Sequence, residues 1–168
     1  MGIPATIRVS SATAHAERYE GEMALASMPR VVDLLARSTG AVRVRLQAHL
    51  VNGIASLSGE IGGDLALSCR RCEKTYLWSL HAQLDLRLVH SEAQVRELMQ
   101  EIEVLQVEND ELPLREMIED EVLLALPMLP RCETCENAVN AAPKVAPPVV
   151  EPSVRENPFA ALKQQLKK

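Results

Sequence analysis

The sequence predicts an α+β fold, a curved and mostly antiparallel β-sheet with a few short helices. Apolar and polar residues alternate at the strand period in residues 43–50 and again in residues 74–88. Between these segments, Asn52-Gly53 favours a type I′ hairpin because both residues tolerate positive φ. Residues 113–126 instead carry apolar side chains at helical spacing. Long strands, a tight hairpin and a separate amphipathic helix together indicate this fold class.

The first predicted elements are a helix and a hairpin. Ser27-Met28-Pro29 is typical of a helix start, and Gly40 is its expected end. The strand that follows turns its even-numbered apolar residues to one face. The return strand covers residues 55–61 and is expected to break at Gly62-Gly63, after which residues 64–68 form a short strand.

Residues 74–88 form the longest alternation in the chain. Mostly apolar side chains occupy the even positions from Tyr76 to Leu88, and Leu77 is the one apolar exception on the odd side. At about 3.3 Å per residue, such a strand would extend roughly 50 Å, far beyond the usual length. The sequence therefore predicts a bend or a bulge within it.

The second half of the domain is predicted to alternate short elements with one longer helix. Residues 91–100 are predicted as a short helix and residues 102–107 as a strand. The longer helix runs from about Pro113 to Leu126 and is stopped by Pro127. Its acidic side chains are expected to lie mostly outside: Glu116, Glu119 and Asp120.

The composition changes after residue 136. Residues 1–136 are predicted to form a single α+β domain, and the Ala-, Pro- and Val-rich residues 137–156 a flexible, disordered linker. Residues 157–168 form a short amphipathic segment that is predicted to dock, either onto the chain itself or onto a partner. A frayed terminus is the alternative. The candidate docking residues are Asn157, Pro158, Phe159 and Leu162.

All four cysteines lie in two Cys-x-x-Cys pairs, Cys69/Cys72 and Cys132/Cys135. Two residues between thiolates let both sulfurs reach one tetrahedral ion, and two such pairs supply a complete shell of four thiolates. The sequence therefore predicts a closed, structural zinc site that joins parts of the domain separated by residues 73–131. Iron accepts the same ligation, so the spacing does not distinguish the two metals.

Two other interpretations of the cysteines stay open. A redox- or metal-responsive dithiol regulator would use the same spacing, but reactive dithiols usually lie at a helix N-terminus, and the residues after Cys72 are predicted as strand. Unligated thiols are the second alternative. The sequence shows neither a signal peptide nor an apolar run of membrane-spanning length, which predicts a cytoplasmic location where disulfides are uncommon.

Charge is distributed unevenly along the chain. Residues 1–90 carry 10 basic and 8 acidic side chains, residues 91–136 carry 3 and 13, and residues 137–168 carry 5 and 2. The acidic middle would repel a phosphate backbone and favours a basic protein partner, with Glu119 and Asp120 as candidate contacts. A solvated acidic surface is the alternative.

Candidate RNA contacts lie outside the acidic region. Arg43 and Arg45 share a strand face, and Arg70 and Arg71 lie between the first two cysteines, where a guanidinium can engage phosphate. An ordinary solvated sheet face is the alternative. The chain has only four aromatic residues, which disfavours binding through base stacking.

The sequence offers no catalytic constellation. His81 and His90 are predicted to lie on opposite faces of the long strand, so they do not form a pair. The glycines at residues 59–63 lack the following Lys-Ser/Thr of a phosphate-binding loop. The acidic cluster at residues 116–121 has no accompanying histidine. We therefore expect the protein to be non-enzymatic.

Several segments, taken in order, resemble the YceD family of large ribosomal RNA subunit accumulation proteins. They are residues 67–72, the acidic helix at residues 118–127, the following Pro130 and Cys132, and the terminal residues 157–162. The resemblance covers roughly residues 25–166. In this family the second cysteine pair varies and is often a His with a single Cys. This chain departs from that pattern with a full Cys132/Cys135 pair, which favours a metal site here.

The resemblance implies a small cytosolic factor needed for the accumulation or processing of 23S ribosomal RNA, and hence for large (50S) subunit biogenesis. The implied partners are precursor 23S rRNA, a large-subunit ribosomal protein, or both, with no membrane and no small-molecule substrate. The resemblance implies no known catalytic activity.

Deleting residues 157–168 should lower 23S rRNA accumulation while leaving the domain folded, because the docking segment follows the predicted linker rather than belonging to the core. The measurements are the 23S level in cells that carry the truncated chain and the thermal unfolding of the purified truncation. An unchanged 23S level would contradict the docking prediction.

Overall fold

The structure is a computed structural model that describes residues 2–98 and 102–140. Its mixture of strands and short helices confirms the predicted α+β class. Within these residues the strands are β1 (Ile7–Arg8), β2 (Arg18–Ala24), β3 (Ala41–Val51), β4 (Ile54–Ser68), β5 (Thr75–Val89), β6 (Val104–Gln106) and β7 (Glu111–Leu112). The α-helices are α1 (Val9–Ala14), α2 (Pro29–Val32), α3 (Glu92–Leu98), α4 (Leu114–Ala125) and α5 (Glu133–Asn140).

The main sheet has the strand order β2-β3-β4-β5-β6. Its first four strands are antiparallel neighbours, and only the β5–β6 pair is parallel. Among the described residues, β1 and β7 form a separate antiparallel pair that joins Ile7 to Leu112. The predicted mostly antiparallel sheet is confirmed.

The β3–β4 connection is the hairpin that the sequence predicts. Val51 pairs with Ile54, which leaves Asn52 and Gly53 as the two turn residues. Their φ values are 51° and 80°. Positive φ at both positions is what a type I′ turn requires, and its twist matches that of the flanking strands.

Strands β4 and β5 form a long ladder without interruption. The pairing runs continuously from Ala55↔Leu88 to Ser68↔Thr75. The predicted break at Gly62-Gly63 is therefore wrong. Of the predicted bend or bulge in the long strand, the continuous register excludes the bulge, and the bend stays a prediction. A Cβ at Gly63 would lie 3.1 Å from the carbonyl oxygen of Ala41, so this glycine permits close strand approach rather than ending a strand.

The core lies between one face of the main sheet and α4. The even positions of β5 and, except for the exposed Leu50, those of β3 point inward as the alternation predicts, and they meet the buried residues Leu57, Ile61 and Leu65 of β4. Leu114, Ile118 and Val122 of α4 are fully buried in the same cluster. Each such aliphatic side chain stabilises the fold by about 1.5–3 kcal/mol. Strand alternation and helical spacing therefore describe the two sides of one core.

Helix α4 has the predicted extent, but Glu119 does not lie outside as expected. Its side chain is buried, and Oε1 accepts the backbone N–H of Arg30 at 2.7 Å and that of Val31 at 3.4 Å. These are amides of the first turn of α2, whose N-cap residue, Met28, makes no side-chain cap hydrogen bond. Glu119 therefore supplies the acceptor that the short helix lacks.

Helix α2 is shorter than the sequence predicts. It covers only Pro29–Val32, and the chain leaves it long before Gly40. Ser27 does not cap it, because its Oγ donates to the carbonyl oxygen of Ala24. The Pro and apolar residues that favoured a longer helix instead place Val31 in the core.

Met1–Glu136 form one compact unit. Helix α5 continues to Asn140, so the first residues of the predicted linker are helical. The rest of that linker and the predicted docking segment at residues 157–168 lie outside the described residues, and the proposed domain division stays a prediction. No helix in the described part of the chain has the length and apolar character needed to cross a membrane.

Gly59→Ala should destabilise the domain strongly. A Cβ at this position would lie 2.0 Å from the Arg45 carbonyl oxygen and 2.9 Å from the Leu46 Cα, both backbone atoms, at a φ of +151°. We expect a loss of at least about 2 kcal/mol in the free energy of unfolding, measured by denaturant titration.

The matched control is Gly62→Ala in the same strand, where the nearest atom, the Leu80 carbonyl oxygen, would lie 3.4 Å from the new Cβ. We expect it to change the stability by less than about 1 kcal/mol. Equal losses in the two variants would show that the close approach at Gly59 is not what requires glycine there.

Candidate metal centre

The first cysteine pair forms the tip of the β4–β5 hairpin. Cys69 directly follows β4, and its backbone N–H donates to the carbonyl oxygen of Lys74 at 2.9 Å. The backbone N–H of Glu73 donates back to the Cys69 carbonyl at 2.9 Å, and Glu73 has a φ of +59°. Residues 69–74 therefore form a closed turn at the end of the long β4–β5 ladder. We call this turn the first knuckle.

The second pair lies at the start of α5. The carbonyl oxygen of Cys132 accepts the backbone N–H groups of Cys135 and Glu136, both at 3.0 Å. These bonds form the first turn of the helix and bring the two thiols of the pair to the same side. The sequence does not predict α5, because the polar residues after Cys135 lack an extended apolar periodicity.

Hydrogen bonds join the first knuckle to the second knuckle, the segment that carries Cys132 and Cys135. The backbone N–H of Arg70 donates to the carbonyl oxygen of Pro130 at 2.8 Å. The Arg71 guanidinium donates to the Cys135 carbonyl at 3.4 Å. The hairpin tip is thus tied to the segment between α4 and α5.

The four thiols converge on one point. All four sulfur atoms lie within 4.8 Å of one another, although the two pairs are separated by residues 73–131. In a tetrahedral thiolate site with bonds of about 2.3 Å, neighbouring sulfurs lie about 3.8 Å apart. Cys72 Sγ and Cys132 Sγ are 3.7 Å apart. The donor set and its spacing therefore fit a tetrahedral metal ion.

The same distance excludes a disulfide between these two residues, because bonded sulfurs lie about 2.0 Å apart. All four cysteines are free. Cys69 is buried and Cys72 is exposed, while Cys132 and Cys135 are partly buried. The cluster is thus enclosed on the side of the sheet and reachable from the surface through Cys72.

The thiols differ in their tendency to ionise. Backbone hydrogen bonds, above all from Cys132 and then from Arg71 and Cys72, lower the pKa of Cys69 to about 6. Burial raises the pKa of Cys135, and its hydrogen bonds to the neighbouring thiols raise it further. Negative charge therefore collects at Cys69, and a cation is needed before all four sulfurs can be thiolates together.

The sequence matches a family described as "Large ribosomal RNA subunit accumulation protein YceD" over residues 57–167. This match covers more than half of the chain. The chain belongs to the YceD family. A protein of Haemophilus influenzae with the name "Large ribosomal RNA subunit accumulation protein YceD" is 28% identical to it over 149 residues, which is 86% of this chain and 84% of the relative. No solved structure matches the sequence.

The family match includes both knuckles of this YceD-family chain, since residues 57–167 contain all four cysteines. The candidate metal ligands therefore lie inside the matched region. The sequence predicts membership of this family from several short segments in a fixed order, and that prediction is confirmed.

The candidate RNA contacts Arg43 and Arg45 lie on the outer face of the main sheet, as predicted, but acidic side chains surround them. Arg45 stands between Glu20 on β2 and Glu60 on β4, and its Nη1 lies 2.9 Å from Glu60 Oε1. Arg43 stands opposite Glu22. This face is a ladder of alternating charges rather than a basic patch, and its predicted RNA contact stays a prediction.

Arg70 and Arg71 lie apart from that face, at the tip of the hairpin. Both side chains are exposed, next to the cysteine cluster. RNA binding by Arg70 and Arg71 stays a prediction. Of the four candidate arginines, these two lie on the turn that backbone hydrogen bonds close at the hairpin tip.

The candidate partner contacts Glu119 and Asp120 both interact with Arg30. Glu119 Oε2 lies 3.2 Å from Arg30 Nη2, and Asp120 Oδ1 lies 2.6 Å from Arg30 Nη1. Glu119 is buried, whereas Asp120 is exposed. Glu119 thus has a structural role in this chain, and partner binding by either residue stays a prediction. The other candidates, Asn157, Pro158, Phe159 and Leu162, lie outside the described residues.

Replacing Cys69 or Cys132 by Ser should each remove bound metal and lower the free energy of unfolding, on the order of 4 kcal/mol, since metal binding is coupled to folding. Thermal unfolding and the metal content of the purified chain check this.

Chelation supplies the control. After metal removal, the parent chain and the Cys69→Ser variant should unfold at nearly the same temperature, because the substitution then removes no ligand bond. Variants that unfold like the metal-loaded parent would contradict a structural site.

Proposed function

We propose that this chain is a non-enzymatic, zinc-stabilised factor that supports 23S rRNA accumulation and large-subunit biogenesis. The single observation that carries the proposal is family membership, since the matched family is described by large ribosomal RNA subunit accumulation. The relative from Haemophilus influenzae has the same name, and the match covers most of its length.

Zinc is proposed as the metal because the candidate ligands are four thiolates in a closed cluster. Closed tetrahedral shells of this kind are typical of structural zinc, whereas catalytic zinc keeps one position open for water or substrate. The residues that would hold it are Cys69, Cys72, Cys132 and Cys135. Bound there, zinc would offset half of the negative charge of four thiolates and fix the hairpin tip against α5.

The absence of catalysis is part of the proposal. A shell of four protein thiolates leaves no site on the metal for an attacking water. Within the described residues, the four cysteines form the one group whose ligand atoms converge as a metal site would require. The chain would act by holding a partner rather than by changing a covalent bond.

The proposed partners are precursor 23S rRNA, a large-subunit ribosomal protein, or both. Arg70 and Arg71 are the best placed for RNA, because the turn that carries them is exposed and is fixed at both ends by hydrogen bonds. A guanidinium on a rigid turn loses less conformational freedom on binding phosphate.

A redox- or metal-responsive dithiol is the second candidate function, and α5 favours it. Cys132 and Cys135 lie at the start of this helix, the position at which reactive thiols are commonly stabilised. Zinc that stays bound under mild oxidation, with activity unchanged, would argue against this role. Loss of zinc with formation of a Cys132–Cys135 disulfide would support it.

The deciding experiment is gradient sedimentation of cell extracts at low salt, using a tagged chain crosslinked to its RNA and protein neighbours. We expect the tagged chain to co-sediment with precursors of the large subunit and to crosslink to 23S rRNA or to a protein of that subunit. A tagged chain found only among free proteins would contradict the ribosomal role.

Replacing Arg70 by Gln should weaken the 23S crosslink while leaving metal content unchanged, since its side chain is not a ligand and, unlike that of Arg71, is not used to join the two cysteine pairs. Arg43→Gln is the matched control, because it removes the same charge from the mixed sheet face. Equal loss in both variants would show that the RNA contact is not localised at the hairpin tip.

Incubation of pure chain with precursor rRNA should yield no cleavage, and specific cleavage would refute the non-enzymatic proposal.

A further inference from the structure

An apolar groove lies between β6 and α4, away from the cysteine cluster. It encloses about 940 Å³ and is open to solvent along its length. Leu86, Leu105 and Met117 are among its apolar lining residues, and Leu123 and Leu124 line it from the last turns of α4. Leu124 is 80% exposed and belongs to this contiguous apolar lining rather than standing alone. The groove is therefore an apolar surface that the described part of the chain leaves uncovered.

Acidic side chains also line this groove, from α4, from β7 and from the loops on either side of β6. They are Glu103, Glu108, Glu111, Glu116, Asp120 and Glu121. No lysine, arginine or histidine is among the described residues that line it. Within the described residues, Asp120 is the member of this set that forms an ion pair, with Arg30.

The carboxylates of the acidic lining repel one another. The pKa of Glu121 is raised by burial and, beyond that, by the neighbouring carboxylates of Glu103 and Asp120. These three groups come from both sides of the groove, so their repulsion acts across it. A positive charge placed between them would relieve this repulsion, whereas a phosphate would increase it.

We propose that this groove binds a basic amphipathic segment of a partner protein, with apolar side chains on the leucine floor and lysine or arginine side chains against the acidic lining. An apolar groove with charged edges is the usual receptor for such a segment. The charge of the lining selects a basic protein over nucleic acid. This inference names a surface and a partner class that the ribosomal role does not require, and it can hold if that role fails.

The binding test uses the full chain and three synthetic peptides. The probe is a helical peptide with leucines at i, i+3 and i+7 and lysines at its flanking positions. The first control replaces each lysine by glutamate, and the second replaces each leucine by serine. We expect the probe to bind at least about tenfold more tightly than either control, since both the apolar contacts and the charges contribute.

Two triple variants locate the site. Glu103→Gln, Glu116→Gln and Glu121→Gln remove three charges from the groove. Glu20→Gln, Glu22→Gln and Glu60→Gln remove three from the outer sheet face. We expect the groove variant to weaken probe binding about tenfold at low salt and the sheet variant to leave it within about twofold. Equal weakening would mean that the peptide follows net charge, which would overturn the proposal.

The natural occupant is tested by a photo-crosslinking residue in cells, placed at Leu124 in one chain and at Leu50 in another. Leu50 is an exposed leucine beside the β3–β4 turn and does not line the groove, so it reports background. We expect a protein adduct specific to position 124 whose crosslinked segment combines lysine or arginine with large apolar residues.

Every other outcome of the crosslinking counts against the proposal. An adduct to RNA, an adduct to residues 157–168 of the same chain or a second copy, or no adduct above the Leu50 background would each overturn it. The thermal unfolding temperature of neither triple variant should fall below that of the parent, so that lost binding is not lost folding.

Discussion

The continuous pairing of β4 with β5 is the constraint on which the rest of this structure depends. Fourteen successive partners, from Ala55↔Leu88 to Ser68↔Thr75, set which side chains of both strands face the core. A slip by one residue would turn every inward leucine of β5 to solvent. The same ladder ends at the hairpin tip and so delivers Cys69 and Cys72 to a fixed place. Core register and site geometry are thus set by a single strand pair.

Several patterns confined to neighbouring residues predict the structure correctly, whereas the local signals at Gly62-Gly63 and Ser27-Met28-Pro29 do not. The Asn52-Gly53 turn, the alternation of β5 and the extent of α4 all follow from local chemistry. The features that the sequence does not predict depend on distant partners. The two residues of β1 are a strand only because Glu111–Leu112 pairs with them from far along the chain. Glu119 is polar and is expected outside, yet it is buried because the amides of α2 need an acceptor.

The site divides in the same way. Two Cys-x-x-Cys spacings predict which residues meet, because the spacing itself reflects the geometry of the ligand set. The helix that presents the second pair is not predicted, since its first turn is held by the Cys132 carbonyl rather than by an apolar stripe. The groove beside α4 is also missed, because its two sides are brought together by the parallel β5–β6 pairing. Overall charge suggests a basic partner, but only the fold shows which carboxylates surround an apolar floor.

The convergence of the two knuckles has a consequence for the order in which the chain reaches its final state. A metal ion held by all four thiolates would close a covalent-like loop around residues 73–131, which contain β5, β6, β7 and α4. Closing a loop of that length lowers the entropy of the unfolded ensemble, and this raises its free energy by about 4 kcal/mol. The first pair leaves the ribosome well before the second during synthesis, so a metal ion caught early is held by two ligands only. Full coordination therefore becomes possible only after the whole of residues 73–131 has been synthesised.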